Sequence, residues 1–490
     1  MTSNSYDDIP YESHTVAQTH PQHLFTLGTL FGLKPTLPDK AKVLELGCAN
    51  GANLIPMAYH LPHAHFIGID ASRSQIADGL AQIKALGLNN ITLIHQAIAD
   101  FNSPTPLDYI LCHGVFSWVN DTTQQQILQL CAKHLAPHGI AYMSYNTYPG
   151  WKIASIVRDM MLWHTGQITA PIDKANEARY MLEWLYPKFQ NMKTHYSEII
   201  CQEMNILSEH SDSQLIHEHL SMINTPYYFY EFMRLVNDHR LTFLSEAFLS
   251  NMPKFTSQPI SLLELIEHSQ YHDFMHNQRF RCTLLCHQER SLEYAVKDNA
   301  IENYYLQLNP THSHSDLKAD PILALAYAIL HEEKFKPIHY QELYQKLEQR
   351  SAIINLKDSI AALNQQLLRD VFLGEILISY FPGNYSIEKS LSPCACPLAR
   401  MQLTLQDFVV NRRHENIRLT PTAEVILPYL DGTHSLNALI DIVRSKIDEG
   451  VLVLVDKHQQ TIHEEKAMRD HIKKMVIETI ELLAQRALLI

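Results

Sequence analysis

The feature that most constrains the fold is a regular alternation of short apolar strands and amphipathic helices in the first third of the chain. Five strand-like runs, from "AKVLELG" at residues 41–47 to "GIAYMSYN" at residues 139–146, are separated by helical segments. Strands that alternate with helices form parallel sheets that are covered by helices on both faces. The sequence therefore predicts an α/β domain with a Rossmann-like sheet.

The turn after the first strand carries an unusual glycine pattern, "ELGCANG" at residues 45–51. It contains neither the G-x-G-x-x-G of a dinucleotide fold nor the lysine of a P-loop. Glu45 would repel a pyrophosphate but suits a cationic ligand. Asp70 ends the second strand, where it can accept hydrogen bonds from both hydroxyls of a ribose. Two acids around a glycine turn therefore predict a nucleoside ligand without phosphates.

This constellation resembles motif I of class I S-adenosylmethionine-dependent methyltransferases, which implies S-adenosyl-L-methionine as the cofactor. By that resemblance, the glycine turn would lie under the methionine part and Asp70 would hold the ribose. Ala97 and Ile98 stand where many members carry an acid and an apolar residue against the adenine. This chain lacks that acid, so the adenine amine would need a backbone acceptor.

Methyltransferase sheets of this class need two more strands, of which the last is antiparallel. Residues 152–224 have helical apolar spacing, and we interpret them as a helical insertion. The sixth and seventh strands are expected within residues 225–290, the seventh in "RFRCTLLCHQ" at 279–288. The predicted catalytic core is thus residues 1–295, with 225–290 completing a seven-stranded sheet.

The rest of the chain is mostly helical and is interpreted as two winged-helix-like domains, residues 296–390 and 391–490. The second domain includes "VLVLVDKH", at 451–458, as a strand. Winged helices often bind DNA, but residues 391–490 hold 12 basic and 13 acidic side chains. That balance favours contact with protein rather than with nucleic acid.

Composition and charge exclude several classes of protein for this chain. The net charge is -13, which argues against a phosphate-backbone binder. No apolar run approaches the ~18 residues of a membrane span, and the N-terminus lacks a signal peptide. The eight cysteines form no CxxC pair, so we expect reduced thiols and a cytoplasmic protein. "HEHLSMIN" at 217–224 lacks the H-E-x-x-H spacing, and no metal site is predicted.

Several longer motifs resemble one bacterial family across nearly all of the chain. They include "YDDIPYESHTVAQTHPQHLFTLGTLFGL", "HGVFSWV", "YNTYPGW", "HEHL…PYYFYEF" and "RFRCTLLCH". They are similar to methyltransferases with a methyltransferase regulatory domain, among them the protein-lysine methyltransferases of the rickettsial outer-membrane-protein type. The resemblance implies methyl transfer from S-adenosylmethionine to lysine side chains of a protein substrate.

The resemblance also implies roles for individual residues. Asn146, Tyr148 and Trp151 would lie near the acceptor, where a phenol and an amide oxygen can orient an amine. The cofactor would contact Glu45, Gly47, Cys48, Ala49, Asn50, Gly51, Asp70, Ala71, Ser72, Ala97, Ile98, His113, Gly114 and Trp118.

Two alternatives stay open at this point: a small-molecule N- or O-methyltransferase, and a cofactor-binding regulatory protein without turnover. Nucleobase N-methylation is disfavoured, because the position after the fourth strand reads "HGVF" rather than [DN]-P-P-[FY]. The N-terminal segment, with Tyr6, Tyr11, Gln18, Thr19 and His20, forms either a lid over the methionine end or a strap packed on the sheet. The oligomeric state is not predicted.

Overall fold

The structure is a computed structural model that describes residues 13–253, 258–310, 320–333, 336–350, 356–386, 390, 392–405, 407–453 and 465–490. These residues form two compact units. The first consists mainly of Pro21–Ala300, and the second mainly of Ile301–Asp370 and Glu375–Ile490. None of the helices in the described part of the chain is long and apolar enough to span a membrane.

The centre of the first unit is a seven-stranded sheet. Its strands are β1 Lys42–Leu46, β2 His65–Asp70, β3 Ile91–His95, β4 Leu107–Cys112, β5 Leu135–Asn146, β6 Leu241–Glu246 and β7 Phe280–His287. The strand order is β3-β2-β1-β4-β5-β7-β6. Strand β7 runs in the opposite direction to the other six strands. This topology confirms the predicted Rossmann-like class I methyltransferase sheet.

The helices of the first unit follow the strand alternation seen in the sequence. They are α1 Pro21–Leu30, α2 Leu54–His60, α3 Arg73–Leu86, α4 Asp121–His134, α5 Gly150–His164, α6 Pro171–Met192, α7 His195–Ser208, α8 Phe229–Asp238 and α9 Leu262–His276. Side-chain caps fix several starts: Ser72 accepts a hydrogen bond from the Gln75 N–H, and Asn120 accepts one from the Thr123 N–H. Strand ends therefore pass into helices at defined residues, and this positions the loops of the site.

Helices α5, α6 and α7 lie between β5 and β6 in the sequence, and they pack together as a separate helical layer. Their apolar faces meet in a small core that includes Val157, Met161, Ala178 and Met204. After α7, a short helix, Asp212–Gln214, continues directly into a π-helical turn, Leu215–His219. The helices of this segment agree with its apolar spacing.

The second unit contains seven helices and several short strands in its described residues. They are β8 Tyr305–Leu308, α10 Pro321–Glu332, β9 Ile338–His339, α11 Tyr340–Arg350, α12 Leu356–Phe372, β10 Ile376–Ser379, α13 Pro397–Gln402, β11 Val409–Val410, β12 Asn416–Ile417, α14 Pro421–Ile426, α15 Leu436–Asp448 and α16 Glu465–Gln485. Strands β8, β9 and β10 form an antiparallel sheet beside three helices, as in a winged helix. In the expected strand at 451–458, residues 451–453 are not β, and the remainder lies outside the described residues.

A buried ionic cluster joins the last two strands of the large sheet to α9. Arg281 on β7 donates to Glu246 Oε1 at 2.6 Å and to Asp273 Oδ1 at 2.8 Å, and all three residues are fully buried. The Arg281 guanidinium also lies 3.9 Å from the centre of the Phe229 ring. Two carboxylates share one cation, so removing the arginine would leave negative charges buried without a partner.

We therefore expect Arg281→Met to destabilise the first unit strongly. Loss of the shared partner of two buried carboxylates costs about 3–5 kcal/mol. Urea unfolding followed by near-ultraviolet circular dichroism should show an earlier transition for this unit. Arg234→Met on the exposed face of α8 is the control, and its effect should stay within about 0.5 kcal/mol. Equal transitions for the two variants would show that the cluster does not stabilise the sheet.

Candidate cofactor and acceptor site

The loop between β1 and α2 turns back tightly across the end of β2. The N–H groups of Gly47 and Cys48 both donate to the Ile69 carbonyl, at 2.9 and 3.1 Å. Gly47 has a φ of +70°, and a Cβ on it would lie 2.5 Å from a Val115 methyl group. Glycine is needed here both for the left-handed backbone and for the close approach of the loop that follows β4.

The Asp70 carboxylate holds the same loop from the end of β2. One oxygen accepts from the Ala49 N–H at 2.8 Å, and the other accepts from the Ser72 N–H at 2.7 Å. The bond to Ala49 supports a left-handed φ of +49° at a residue that is not glycine. Each oxygen keeps further lone pairs, so the carboxylate can still accept hydrogen bonds from ribose hydroxyls.

Glu45 is buried at the end of β1, directly beneath this loop. Its Oε1 accepts a 2.7 Å hydrogen bond from Asn53, whereas Oε2 is buried without a partner among the described residues. Burial raises the pKa of Glu45 to about 7, opposed by the Asn53 hydrogen bond and supported by the Asp70 charge. The residue therefore orders the loop through Asn53 and retains one oxygen for a cationic partner.

The other predicted cofactor residues of this region differ in their surroundings. The Cys48 sulfur packs against Gly68, where a Cβ would lie 2.7 Å away, and burial raises the pKa of its thiol. Ala97 is exposed and Ile98 is half-buried at the end of β3. This end is joined to β2 by the Gln96 N–H, which donates to the Asp70 carbonyl at 2.9 Å. The expected contact of Ala97 and Ile98 with adenine stays a prediction.

The loop after β4 connects the cofactor loop to the end of β5. The Gly114 N–H donates to Ser144 Oγ at 2.8 Å, and no atom lies within 4 Å of a Cβ placed on Gly114. His113 Nδ1 lies 3.0 Å from the Tyr142 hydroxyl, and desolvation lowers the pKa of His113 to about 4. The histidine is therefore neutral at pH 7, so it adds no repulsion toward a sulfonium.

The two residues predicted to orient the acceptor lie just past β5. The Asn146 amide group donates to Asn224 Oδ1 at 2.8 Å, but its own Oδ1 has no partner among the described residues. The Tyr148 hydroxyl likewise has no hydrogen bond within the described part of the chain. Lys152 Nζ lies 3.9 Å from the centre of the Tyr148 ring. The site thus offers two open oxygen acceptors beside an aromatic face that holds an ammonium group.

Aromatic rings extend from this point into the helical layer. Trp118 contacts Trp151 edge-on at 6.0 Å between ring centres, and Trp151 stacks on His219 at 5.7 Å. Trp151 is buried and Trp118 is half-buried. The structure therefore brings Trp118 and Trp151 together, although the two were expected to contact the cofactor and the acceptor, respectively.

One element of the site was not assigned a role from the sequence: the segment 224–228. The Tyr227 N–H donates to the Asn146 carbonyl, and the Tyr148 N–H donates to the Tyr227 carbonyl, both at 3.0 Å. The Tyr228 ring lies 5.2 Å from that of Tyr148. The aromatic run "PYYFYEF" was the available signal, but its pairing with residues 146–148 joins parts of the chain about eighty positions apart.

Part of the N-terminal segment groups with the second unit, and both the lid and the strap stay predictions. Residues 15–20 belong to the second unit, where the Thr15 N–H donates to Asn416 Oδ1 at 3.3 Å. Asn416 in turn donates to the Thr15 carbonyl at 3.0 Å. This reciprocal pairing of the Asn416 side-chain amide with the Thr15 backbone ties the start of 15–20, the stretch that includes Gln18, Thr19 and His20, to the second unit. Tyr6 and Tyr11 lie outside the described residues.

Comparison with known proteins agrees with this architecture. Three family models match: "Methyltransferase domain" at residues 44–141, "Predicted methyltransferase regulatory domain" at 211–287, and "PKMT, C-terminal winged helix domain" at 392–488. An uncharacterized protein of Rickettsia prowazekii is 31% identical and aligns over 99% of this chain and 94% of its own length. The solved structure of PKMT2 from Rickettsia typhi in complex with AdoHcy superposes with a TM-score of 0.87. That match has 29% identity and covers 98% of this chain and 100% of the other.

The chain belongs to this family of S-adenosylmethionine-dependent methyltransferases. A second uncharacterized protein of Rickettsia prowazekii is 38% identical over 47% of this chain and 92% of its own length. The predicted class, the regulatory domain and S-adenosyl-L-methionine as the cofactor of this methyltransferase are thereby confirmed.

We expect Asp70→Ala to weaken binding of S-adenosylhomocysteine by at least about tenfold, because charge-assisted hydrogen bonds are worth ~1.5–3 kcal/mol. Titration calorimetry checks this, with Asp78→Ala on the exposed face of α3 as the control. The 2′-deoxy analogue separates ribose recognition from loop stability. Loss of the 2′-hydroxyl should weaken binding to the wild type but not to Asp70→Ala. Equal losses of affinity in both proteins would exclude a contact between Asp70 and this hydroxyl.

The second prediction for this site is that the affinity for S-adenosylmethionine depends on pH through Glu45. The Glu45 carboxylate ionises above pH ~7, and only the ionised form attracts a cationic ligand amine. Affinity for S-adenosylmethionine should therefore fall as the pH drops below 7, by up to about tenfold per pH unit. Glu45→Gln should lose this dependence, whereas Glu267→Gln at an exposed position of α9 should keep it. Parallel curves for wild type and Glu45→Gln would place the ligand amine elsewhere.

Proposed function

We propose that this methyltransferase transfers methyl groups from S-adenosylmethionine to the side-chain amines of lysines in a protein substrate. The observation that carries the proposal is the similarity to PKMT2 over 98% of this chain. The similarity includes the C-terminal region, which matches the winged helix model named for PKMT.

The chemistry makes specific demands on the acceptor site. The lysine nitrogen attacks the methyl carbon in line, a nitrogen–carbon bond forms, and the carbon–sulfur bond breaks to release S-adenosylhomocysteine. The amine must be neutral to attack, although the reference pKa of lysine is about 10.4. Desolvation lowers that pKa, so a narrow, aromatic-lined approach promotes the reactive form. The enzyme otherwise acts by positioning the two reactants.

Asn146 and Tyr148 are the proposed orienting groups. Asn146 Oδ1 and the Tyr148 hydroxyl have no partners among the described residues, so both can accept hydrogen bonds from an incoming amine. The Lys152 ammonium lies 3.9 Å from the centre of the Tyr148 ring, and this positive charge favours the neutral form of an amine that binds beside it. Trp151 would form part of the wall behind them. A neutral amine held by two acceptors directs its lone pair away from them, toward the sulfonium.

The remaining predicted residues would hold the cofactor. We assign the ribose to Asp70 and the methionine amine to Glu45, whose second oxygen is unpartnered in the described structure. The loop of Gly47, Ala49 and Gly51 would lie beneath the methionine part. His113 and Gly114 would line the cofactor from the β4 side, where Gly114 leaves open space.

We propose the domain boundaries that the sequence predicts. The core would comprise residues 1–295, and the two C-terminal domains, 296–390 and 391–490, would serve substrate contact or regulation rather than nucleic-acid binding. We place the enzyme in the cytoplasm because all eight cysteines are free thiols.

Tyr148→Phe and Asn146→Ala should lower kcat much more than they weaken cofactor binding, because positioning is expressed in the transition state. Rates are measured as label transferred from methyl-tritiated S-adenosylmethionine to a bacterial protein fraction. Tyr271→Phe removes an exposed phenol on α9, outside the site, and it serves as the matched control. If both site variants keep near wild-type rates, these residues are packing groups only.

The acceptor class is tested with the same fraction after its lysines have been blocked by acetylation, which converts each amine into an amide whose nitrogen cannot attack the methyl group. Protein labelling should then disappear, while a portion treated with the hydrolysed reagent alone should remain a substrate. Persistent labelling of the blocked proteins would exclude lysine. Label that appears only in a small-metabolite fraction would favour the small-molecule alternative.

A further inference from the structure

A group of metal-ligating side chains lies in the helical layer, outside the residues assigned to methyl transfer. His210 follows α7, and Glu218 and His219 lie on the π-helical turn Leu215–His219. Each presents one ligand atom, and the three atoms all lie within 4.8 Å of one another. We propose that His210, Glu218 and His219 bind a divalent cation of the zinc type.

The hydrogen bonding of the two histidines supports this assignment. The Nδ1 atoms of His210 and His219 are both buried and have no hydrogen-bond partner among the described residues. His219 is only 7% exposed, so water does not readily replace the missing partner. Buried polar atoms are almost always satisfied, and two unsatisfied imidazole nitrogens in ring contact, 5.2 Å between centres, indicate a missing ligand.

The donor set matches the chemistry of zinc. Two imidazoles and one carboxylate, with a fourth position left open, form a known zinc coordination set. Around a tetrahedral zinc ion the ligand atoms would approach to about 3.3 Å, so metal binding would draw this group together. The spacing is His-x7-Glu-His rather than H-E-x-x-H, and the π-helical turn gives residues 218 and 219 their placement. The sequence motif H-E-x-x-H therefore does not detect this group of three residues.

Nearby charges determine what the fourth ligand would be. Arg158 and Arg279 both contribute positive potential at His219. Arg279 forms an ion pair with Glu203, and Arg158 donates to the Ser221 carbonyl. Their charge opposes a bare dication but favours an anionic fourth ligand, such as hydroxide or a carboxylate. The bound species would accordingly be a cation that carries one anion.

The position of the site gives the metal a structural consequence. His219 stacks on Trp151 with 22° between the ring planes, and Trp151 contacts Trp118. A metal that holds the His219 ring would fix the end of α7 to the π-helical turn, and with them the Trp151 ring. This inference does not depend on lysine being the methyl acceptor.

The test uses the full-length protein without a polyhistidine tag, stripped with a chelator and titrated with Zn²⁺ against a competing indicator dye. We expect one high-affinity Zn²⁺ per chain. His210→Ala and His219→Ala should each weaken binding by at least about tenfold. His195→Ala is the matched control, because this fully exposed histidine also lies beside a carboxylate, Glu198, at 3.3 Å.

Two further measurements separate loss of the metal site from loss of the fold and identify the ligand atoms. Circular dichroism verifies that each variant is folded, and His210→Ala, at the less buried position, replaces His219→Ala if the latter unfolds. Co²⁺ substitution should give the visible spectrum of a tetrahedral nitrogen and oxygen site. The proposal is overturned if the wild type binds no Zn²⁺, if binding persists unchanged in the folded variants, or if Co²⁺ shows a thiolate charge-transfer band from the free cysteines.

Discussion

The interaction on which the site depends is the pair of hydrogen bonds from the backbone to Asp70. Through them, one carboxylate fixes both the left-handed turn at Ala49 and the start of α3 at Ser72. The glycine loop, the end of β2 and, through Gly47 and Val115, the loop after β4 are thereby held in one arrangement. A charged residue that is already ordered by the backbone loses little entropy on meeting a ribose, and this is the physical basis of preorganised binding.

Sequence reasoning was most successful where local periodicity and turn chemistry determine structure. The five strands up to Asn146 and their helices follow from apolar spacing, and the last two strands lie within the range expected for them. Other features depend on contacts between distant residues. Arg281 lies in a run that reads as an ordinary β-strand, and its two carboxylate partners come from β6 and α9. Strand β9, only two residues long, carries no period to detect, and the pairing of Thr15 with Asn416 joins opposite ends of the chain.

The electrostatics of the site fit a reaction between a sulfonium and an amine. Negative charge is available from Asp70 and, above pH ~7, from Glu45. His113 stays neutral because desolvation lowers its pKa to about 4, so no imidazolium opposes the cofactor. On the acceptor side, uncharged oxygens and aromatic rings replace carboxylates. That choice suits a nucleophile that must lose its proton, because a nearby carboxylate would stabilise the ammonium form.

The central claim is that the cofactor and acceptor groups converge at the carboxyl ends of β1, β2, β4 and β5. It is tested most directly by a crystal structure of the enzyme with S-adenosylhomocysteine. The account predicts that both ribose hydroxyls lie within about 3.2 Å of the Asp70 carboxylate. It also predicts that the sulfur faces the space between Asn146 Oδ1 and the Tyr148 hydroxyl. A ribose bound away from Asp70, or a sulfur that opens onto a surface without Asn146 and Tyr148, would contradict it.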